Sequence, residues 1–390
     1  MNEQNRYDVI VVGAGALGTW HAYFSLLAGK RVLLLEKDLW AQEATVRNFG
    51  QVVASGLPAD SVWHERGRFT TELYKELQAK TDIGIRANGS CYVASSSAEM
   101  AVLEELHQRF AAVDYTSELW TKDAALARYP ALKPDYVTGA LFFPQEVSAE
   151  PEHTFHRIQR YLESNFSDWL TLRYATPVVG VEAGSGGCEV RTADGSRYQV
   201  ETCFVCSGRD ARLLFPEVMA ASGMVVSKLN MLATVPLKSV VLPGNILTGY
   251  SIYRYESFQA CDAHKDLPAA GVPDDVRQLG IHILFKQRMD GSIIIGDSHE
   301  YAPVDRQEEL RPFYNDAHIN RILLREAAKI VDLPDWTIGE TWCGFYAQHP
   351  DEIFMHAVDS SIHIATGIGG KGMTTGAGFS RDNVRRVLEG

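Results

Sequence analysis

Residues 8–36 leave the chain little choice of fold. Asp8 to Val12 reads as a short buried strand and runs into Gly13-Ala14-Gly15-Ala16-Leu17-Gly18. An apolar stretch at helical spacing follows (Leu17, Tyr23, Phe24, Leu26, Leu27). A second strand, Arg31-Val32-Leu33-Leu34-Leu35, then ends on Glu36. In such a βαβ unit the first glycine permits the tight turn. The second removes a side chain where backbone must approach a pyrophosphate, and the third lets helix and strand pack closely. The helix N-terminus offers unpaired N–H groups and the positive end of its dipole to the anion. Glu36, 18 residues past Gly18, stands where a ribose hydroxyl is read and would repel a 2′-phosphate. The pattern predicts a dinucleotide of the NAD or FAD kind rather than NADP.

At 390 residues the chain is too long for one small core, and two domains are expected. With 46% hydrophobic and 22% charged residues it is an ordinary globular composition. A net charge of −12 without basic blocks argues against nucleic acid or anionic membrane partners. Met1 to Tyr7 is polar, and no run approaches 18 apolar residues, so neither a signal peptide nor a transmembrane helix is expected. Six scattered cysteines predict reduced thiols in a cytoplasm. Cys203 and Cys206 are spaced as Cys-x-x-Cys but lie within a strand, where i and i+3 face opposite ways. His153 and His156 lack further ligands, so no metal is expected.

Downstream, helical spacing predicts helices over 62–80, 98–110, 153–162 and 319–331, and another opening near Thr121 as N-cap. Strands are expected over 89–94, 139–143, 202–206 and 362–367, with a small meander over 178–200 and a hairpin pairing 281–285 with 292–296 across Asp290-Gly291. Tyr250 to Phe258 reads as an aromatic loop, and a Gly-rich stretch over 367–378 precedes a closing helix. Parallel-type strands thus stand at the start, middle and end, with antiparallel-type segments between.

The fingerprint, Phe204-Val205-Cys206-Ser207-Gly208, Trp342-Cys343-Gly344-Phe345 and Gly367-Ile368-Gly369-Gly370-Lys371-Gly372-Met373-Thr374 together resemble the D-amino-acid oxidase-like superfamily of FAD-dependent oxidoreductases, the glycine oxidase and sarcosine oxidase group. Arg47-Asn48-Phe49-Gly50 and Gly296-Asp297-Ser298-His299-Glu300-Tyr301 resemble a subgroup associated with aminophosphonate breakdown. The resemblance implies an α/β fold: a Rossmann-like FAD-binding domain over 1-82, 148-215 and 336-390, and an α+β substrate domain with a large mixed or antiparallel sheet over 83-147 and 216-335.

It also implies the site residues. Gly13, Gly15, Ala16, Leu17, Gly18, Glu36 and Lys37 would hold the ADP half, with Val178, Cys206, Ser207 and Gly208 beside it. Arg47, Asn48, Phe49 and Gly50 would reach the pyrophosphate and flavin, Arg47 as a phosphate donor. Gly344, Gly370, Lys371, Gly372, Met373 and Thr374 would meet the flavin ring, with helix amides stabilising negative charge at its N1–C2=O edge. Relatives in this group place a carboxylate-binding arginine two residues after the Gly of Trp-x-Gly, and here that position is Tyr346. Arg254, Lys371 and His299 are then the candidates for a substrate's anionic end, and Asn48 and Tyr346 complete the expected catalytic set. The covalent flavin attachment position falls on Gly344 rather than Cys343, so FAD is expected to be non-covalent. His282 is left facing either core or pocket.

The expected reaction is oxidation of a small primary or secondary amine, bound unprotonated, to an imine, with hydride passing to flavin and oxygen or another acceptor reoxidising it. The alternatives are an FAD-dependent 2-hydroxy acid dehydrogenase and a non-catalytic flavin-binding redox sensor.

Overall fold

A computed structural model describes residues 7–390. Two sheets organise it. The first has six strands in the order Phe354–Ala357, Ile362–Thr366, Thr202–Val205, Val9–Val12, Val32–Leu35, Leu170–Arg173. All pairs are parallel except the edge pair of Phe354–Ala357 with Ile362–Thr366. The central strands are apolar throughout because both faces are covered. Val9, Val11, Leu34 and Phe204 pack with Trp20, Phe155 and Phe379 of the flanking helices. Ile10, Val12, Leu33 and Val205 face the antiparallel meander Val178–Gly184, Gly187–Thr192, Arg197–Val200. Cys203 joins the second cluster and Cys206 the first, so the two thiols do face opposite ways. All six cysteines are buried and unpaired.

The second sheet has nine strands. Its path runs Glu300–Pro303, Val225–Thr234, Ile293–Gly296, Leu284–Gln287, Asn245–Leu247, Ser90–Ala94, Gly139–Phe143, Glu118–Thr121, and Ile338–Gln348 pairs along the free side of Val225–Thr234. It is mixed: antiparallel except where Asn245–Leu247 runs parallel to Ser90–Ala94. A hairpin is present across Asp290-Gly291, but its first strand is Leu284–Gln287 rather than 281–285, paired with Ile293–Gly296.

Two further local expectations change. Tyr250 to Phe258 is two short helices, Gly249–Arg254 and Glu256–Gln259, rather than a loop. Buried Ile252 and Phe258 anchor them on the large sheet. The closing helix starts at Gly372, so half of the Gly-rich stretch is helical. Its glycines Gly376 and Gly378 are buried against neighbours instead of forming a loop. Finally, the antiparallel-type segments between the meander and the hairpin include one strand of ten residues, Val225–Thr234.

Parallel strands all end at one edge of a sheet. Here Val12, Leu35, Val205 and Thr366 deliver Gly13, Glu36, Cys206 and Gly367 to the same rim. The carboxyl edge of such a sheet is where a doubly wound fold takes its ligand.

Candidate active site

A cavity of about 1020 Å³ opens from that rim and continues to the large sheet. Its first end is the fingerprint. Gly13, Gly15, Ala16 and Leu17 line it, while Gly18 lies behind. A Cβ at Gly18 would overlap the Gly13 carbonyl, so its role is the close helix–strand packing expected of it. The helix Ala16–Leu27 has no side-chain cap. Ala16 N donates to Thr45 Oγ1 (2.9 Å), and the rest of its first turn is free for an anion. Glu36 is buried, and its carboxylate accepts from Ala14 N (2.8 Å) and Asp38 N (3.1 Å). Burial pushes its carboxyl upward despite those two donors. Lys37 lines the same end and pairs with Asp210 (2.8 Å). Val178, Cys206, Ser207 and Gly208 form the adjoining wall.

The middle is built by residues 44–50. Asn48 Nδ2 donates to Ala44 O (3.0 Å) and Thr45 O (2.8 Å), and its Oδ1 accepts from Gly50 N (2.8 Å). The amide is saturated by its own loop, so Asn48 shapes the wall and is not a free catalytic group. Arg47 lines the same wall, its Nε donating to Gln42 O (2.7 Å) and its Nη1 to Cys343 O (3.5 Å), with further guanidinium donors left over. Gly50 has φ +79°, and a Cβ there would meet the Ala149 carbonyl and Lys286, so packing behind the wall requires glycine as much as any approach to a flavin does. Opposite stands Gly344, where a Cβ would lie 2.8 Å from Arg47 O, and Trp342 Nε1 donates to that same oxygen (3.1 Å). Trp-Cys-Gly is thereby the seat of the 44–50 loop. Cys343 faces away from the cavity, its Sγ near Tyr314 O (3.4 Å) and Asn230 Oδ1 (3.6 Å).

The N-terminus of the closing helix, uncapped by any side chain, reaches the cavity through Gly370, Lys371, Gly372, Met373 and Thr374. Lys371 is not free to bind an anion as expected. Its ammonium contacts Glu352 and lies over the Trp63 ring (4.7 Å). Burial, only partly opposed by the Glu256 charge, draws its pKa down to about 8.

The far end gathers aromatic and charged side chains around the cavity. Tyr346 leaves the strand Ile338–Gln348 and stands between Gly370 and His299, its ring 6.3 Å from the imidazole. Arg254, last residue of its short helix, donates to Gly280 O (3.3 Å) and Tyr301 Oη (3.1 Å) and lines the cavity. His299 Nδ1 lies 3.1 Å from Gly280 O, so the ring donates there and keeps Nε2 as an acceptor. Burial, helped by the Arg254 and His282 charges and opposed by Asp297, lowers its pKa to about 3.

Two residues here carried no assigned role in the sequence reading. His282 does face the cavity, and its Nε2 is 2.7 Å from Asp297 Oδ1. Asp297 is 6% exposed. Burial raises its carboxyl, but the two imidazoles and the Arg254 guanidinium outweigh that and hold it below the usual carboxylate range. The available signal was spacing: Asp297 and His299 are i and i+2 after a buried strand. The pairing with His282 needed the hairpin register. His282, Asp297 and His299 place donor atoms within 4.8 Å of one another, whereas His153 and His156 belong to no such group among the described residues.

The arrangement fits FAD. Two uncapped helix N-termini, a ribose-side carboxylate and a long cavity accommodate the ADP and flavin ends, with Arg254, His299 and Tyr346 beyond. The family described as FAD dependent oxidoreductase matches residues 8–383. Glycine oxidase of Bacillus licheniformis is 26% identical over 225 residues, 55% of this chain and 58% of that protein, so the match spans less than two thirds of the relative's length. A glycine oxidase structure from Geobacillus kaustophilus superposes with a TM-score of 0.75 at 19% identity, covering 99% of this chain and 95% of that one. The FAD-bound L-alpha-glycerophosphate oxidase of Mycoplasma pneumoniae does so with a TM-score of 0.76 at 16% identity, covering 98% and 95%. The chain belongs to the FAD dependent oxidoreductase family, and FAD is the cofactor this cavity is built for.

Proposed function

We propose that the protein oxidises a small primary or secondary amine that also carries an anionic group, an amino acid or aminophosphonate-like compound, to the imine, which water hydrolyses. The observation that carries this reading is one cavity running from the fingerprint glycines to Arg254, His299 and Tyr346. The similarity to glycine oxidase supports an amine rather than an alcohol. FAD, when bound, supplies the acceptor for the hydride of the substrate C–H bond. The protein's own residues position and select. Arg254 keeps guanidinium donors for the anionic end, with Gly280 and Tyr301 holding its planar fork in place. His299, neutral across the working pH range, offers Nε2 to a substrate N–H. Tyr346 occupies the position of the missing arginine and bridges the flavin side to His299. The helices over 249–259 cover the far end and limit water.

We read FAD as non-covalent because Cys343 points away from the cavity. Residues 1-82, 148-215 and 336-390 would form the FAD-binding unit, with the strand Ile338–Gln348 hydrogen-bonded into the large sheet of the substrate unit formed by 83-147 and 216-335. Oxygen or another acceptor would complete turnover, and six unpaired buried thiols favour a cytoplasmic setting. No helix of the described residues is long and apolar enough to cross a membrane.

The glycerophosphate oxidase neighbour keeps an alternative in view, a hydroxy-compound dehydrogenase on the same fold. Anaerobic reduction of the yellow holoenzyme separates the readings. Bleaching by sarcosine or N-methylaminoethylphosphonate and not by lactate is expected. Bleaching by lactate alone would favour the alternative, and none by a broad amine and hydroxy-acid panel would mean a non-catalytic flavoprotein.

A further inference from the structure

Asp297 is a buried anion held by neighbouring charges rather than by a full set of hydrogen bonds. It is 6% exposed and lines the cavity. Its Oδ1 lies 2.7 Å from His282 Nε2 and has no other side-chain donor at hydrogen-bond distance among the described residues. His299 Nδ1 is 3.7 Å away and already bonded to Gly280 O. A buried carboxylate with so few donors is costly unless a cation completes it.

The obvious intramolecular cation does not. Arg254 lines the same cavity and its charge is felt at Asp297, yet its hydrogen bonds go to Gly280 and Tyr301 and it makes no ion pair with the carboxylate. One positive and one negative group are thus held apart in one chamber. Two tyrosines stand near the negative one: Tyr255 is edge-on to His282 (centroids 5.7 Å), and Tyr255 and Tyr346 both sense the Asp297 charge. A carboxylate among tyrosine rings attracts an alkylammonium through both ion pairing and the ring quadrupoles.

We propose that Asp297 is the counter-ion for a protonated substrate amine, and that with Arg254 it selects zwitterions, the ammonium at Asp297 and the anionic group at Arg254. This rests on the amine reading and sharpens it. The substrate docks as the ammonium rather than as the free base, and one N–H proton leaves to solvent before the neutral amine gives up its hydride. Asp297 is a binding residue, and simple ammonium ions or simple anions each satisfy only half of the chamber.

The test uses two unreactive probes of nearly equal shape, glycine betaine, with a fixed cationic nitrogen, and 3,3-dimethylbutanoate, its neutral-carbon counterpart. Binding to the FAD-loaded protein is read from the perturbation of the flavin spectrum and by calorimetry. The wild type should bind betaine at least about ten-fold more tightly, since two attractive terms act on the cation. Asp297→Asn should lose that preference while its affinity for 3,3-dimethylbutanoate and its flavin content stay unchanged. Arg254→Ala should weaken both probes together. Equal affinities in the wild type, binding of neither probe, or a preference that survives in Asp297→Asn would overturn the proposal. The wild-type comparison decides even if Asp297→Asn does not hold FAD. Amine bleaching without a betaine preference would remove the zwitterion chamber and leave amine oxidation standing. A betaine preference without any amine bleaching would do the reverse.

Discussion

Arg254 shows how a residue's neighbours decide its use. A guanidinium carries five donors in a rigid plane. Here two bonds, to a carbonyl and a tyrosine hydroxyl, fix that plane and leave the rest facing the cavity. Replacing it with alanine should raise KM for an anionic amine by roughly ten-fold or more while leaving FAD content unchanged, because a charge-assisted bond is lost from the substrate alone. Steady-state kinetics with flavin quantified by absorbance checks this, and an unchanged KM would remove Arg254 from the site. Lys371, the other cation expected at the anion, is answered by Glu352. Asn48 was legible as a loop residue near the flavin, but not that its amide would be consumed by Ala44, Thr45 and Gly50. Hydrogen-bond saturation is a property of the folded loop, and no spacing rule reports it.

At the scale of elements, the contact between the closing helix Gly372–Leu388 and the helix Val62–Lys80 fixes where the flavin-side N-terminus points. Gly378 sits at the crossing: its N donates to Thr70 Oγ1 (3.0 Å), and a Cβ would lie 2.6 Å from Arg66 Cα and 2.7 Å from Arg66 O. Backbone cannot yield as a side-chain tip can. Gly378→Ala should therefore cost about 1–3 kcal/mol by overpacking, visible as a lowered Tm, and should loosen FAD by shifting the helix start. A Tm equal to wild type would show that the helices separate freely. The glycine-rich sequence announced a turn at this place, and half of it is instead a helix interior. Glycine at a helix crossing and glycine in a loop look alike in sequence, because only the partner backbone tells them apart.

For the whole molecule, buried ionisable groups couple acid to stability. His21 is enclosed by the sheet and the closing helix, its Nδ1 bonded to Leu17 O (2.7 Å) and its Nε2 accepting from Asn383 (2.9 Å). Burial, only partly offset by the Leu17 bond, lowers its pKa to about 4. The unfolded chain then binds a proton that the folded one refuses between about pH 6.5 and 4, so this contribution to stability is lost as pH falls through that window. Glu146, pushed up to about 7 by burial, tilts the curve the other way. The clean measurement is therefore a difference. At fixed FAD, the unfolding free energy of the wild type minus that of His21→Gln should fall by about 3 kcal/mol from pH 6.5 to 4. A difference that does not change with pH would place His21 outside this linkage.

The sequence by itself determined the cofactor end. Strand, glycines, helix, second strand and Glu36 are contiguous, and each follows from local sterics or backbone electrostatics, so residues 8–36 could be read without knowing what lay around them. It determined the central strands of the six-stranded sheet, because burial on both faces makes them apolar runs, whereas the more exposed edge strands Leu170–Arg173 and Phe354–Ala357 carry no such mark. Only the tertiary structure decided the substrate end. Arg254, His282, Asp297, His299 and Tyr346 come from three separated stretches and meet only when the hairpin takes its register, the strand Ile338–Gln348 pairs with Val225–Thr234, and two short helices close over them. Long-range pairing sets which charges face each other across a cavity and which are answered by neighbours. That is why Asp297, read in the sequence only as part of a short motif, becomes a buried charge facing the cavity.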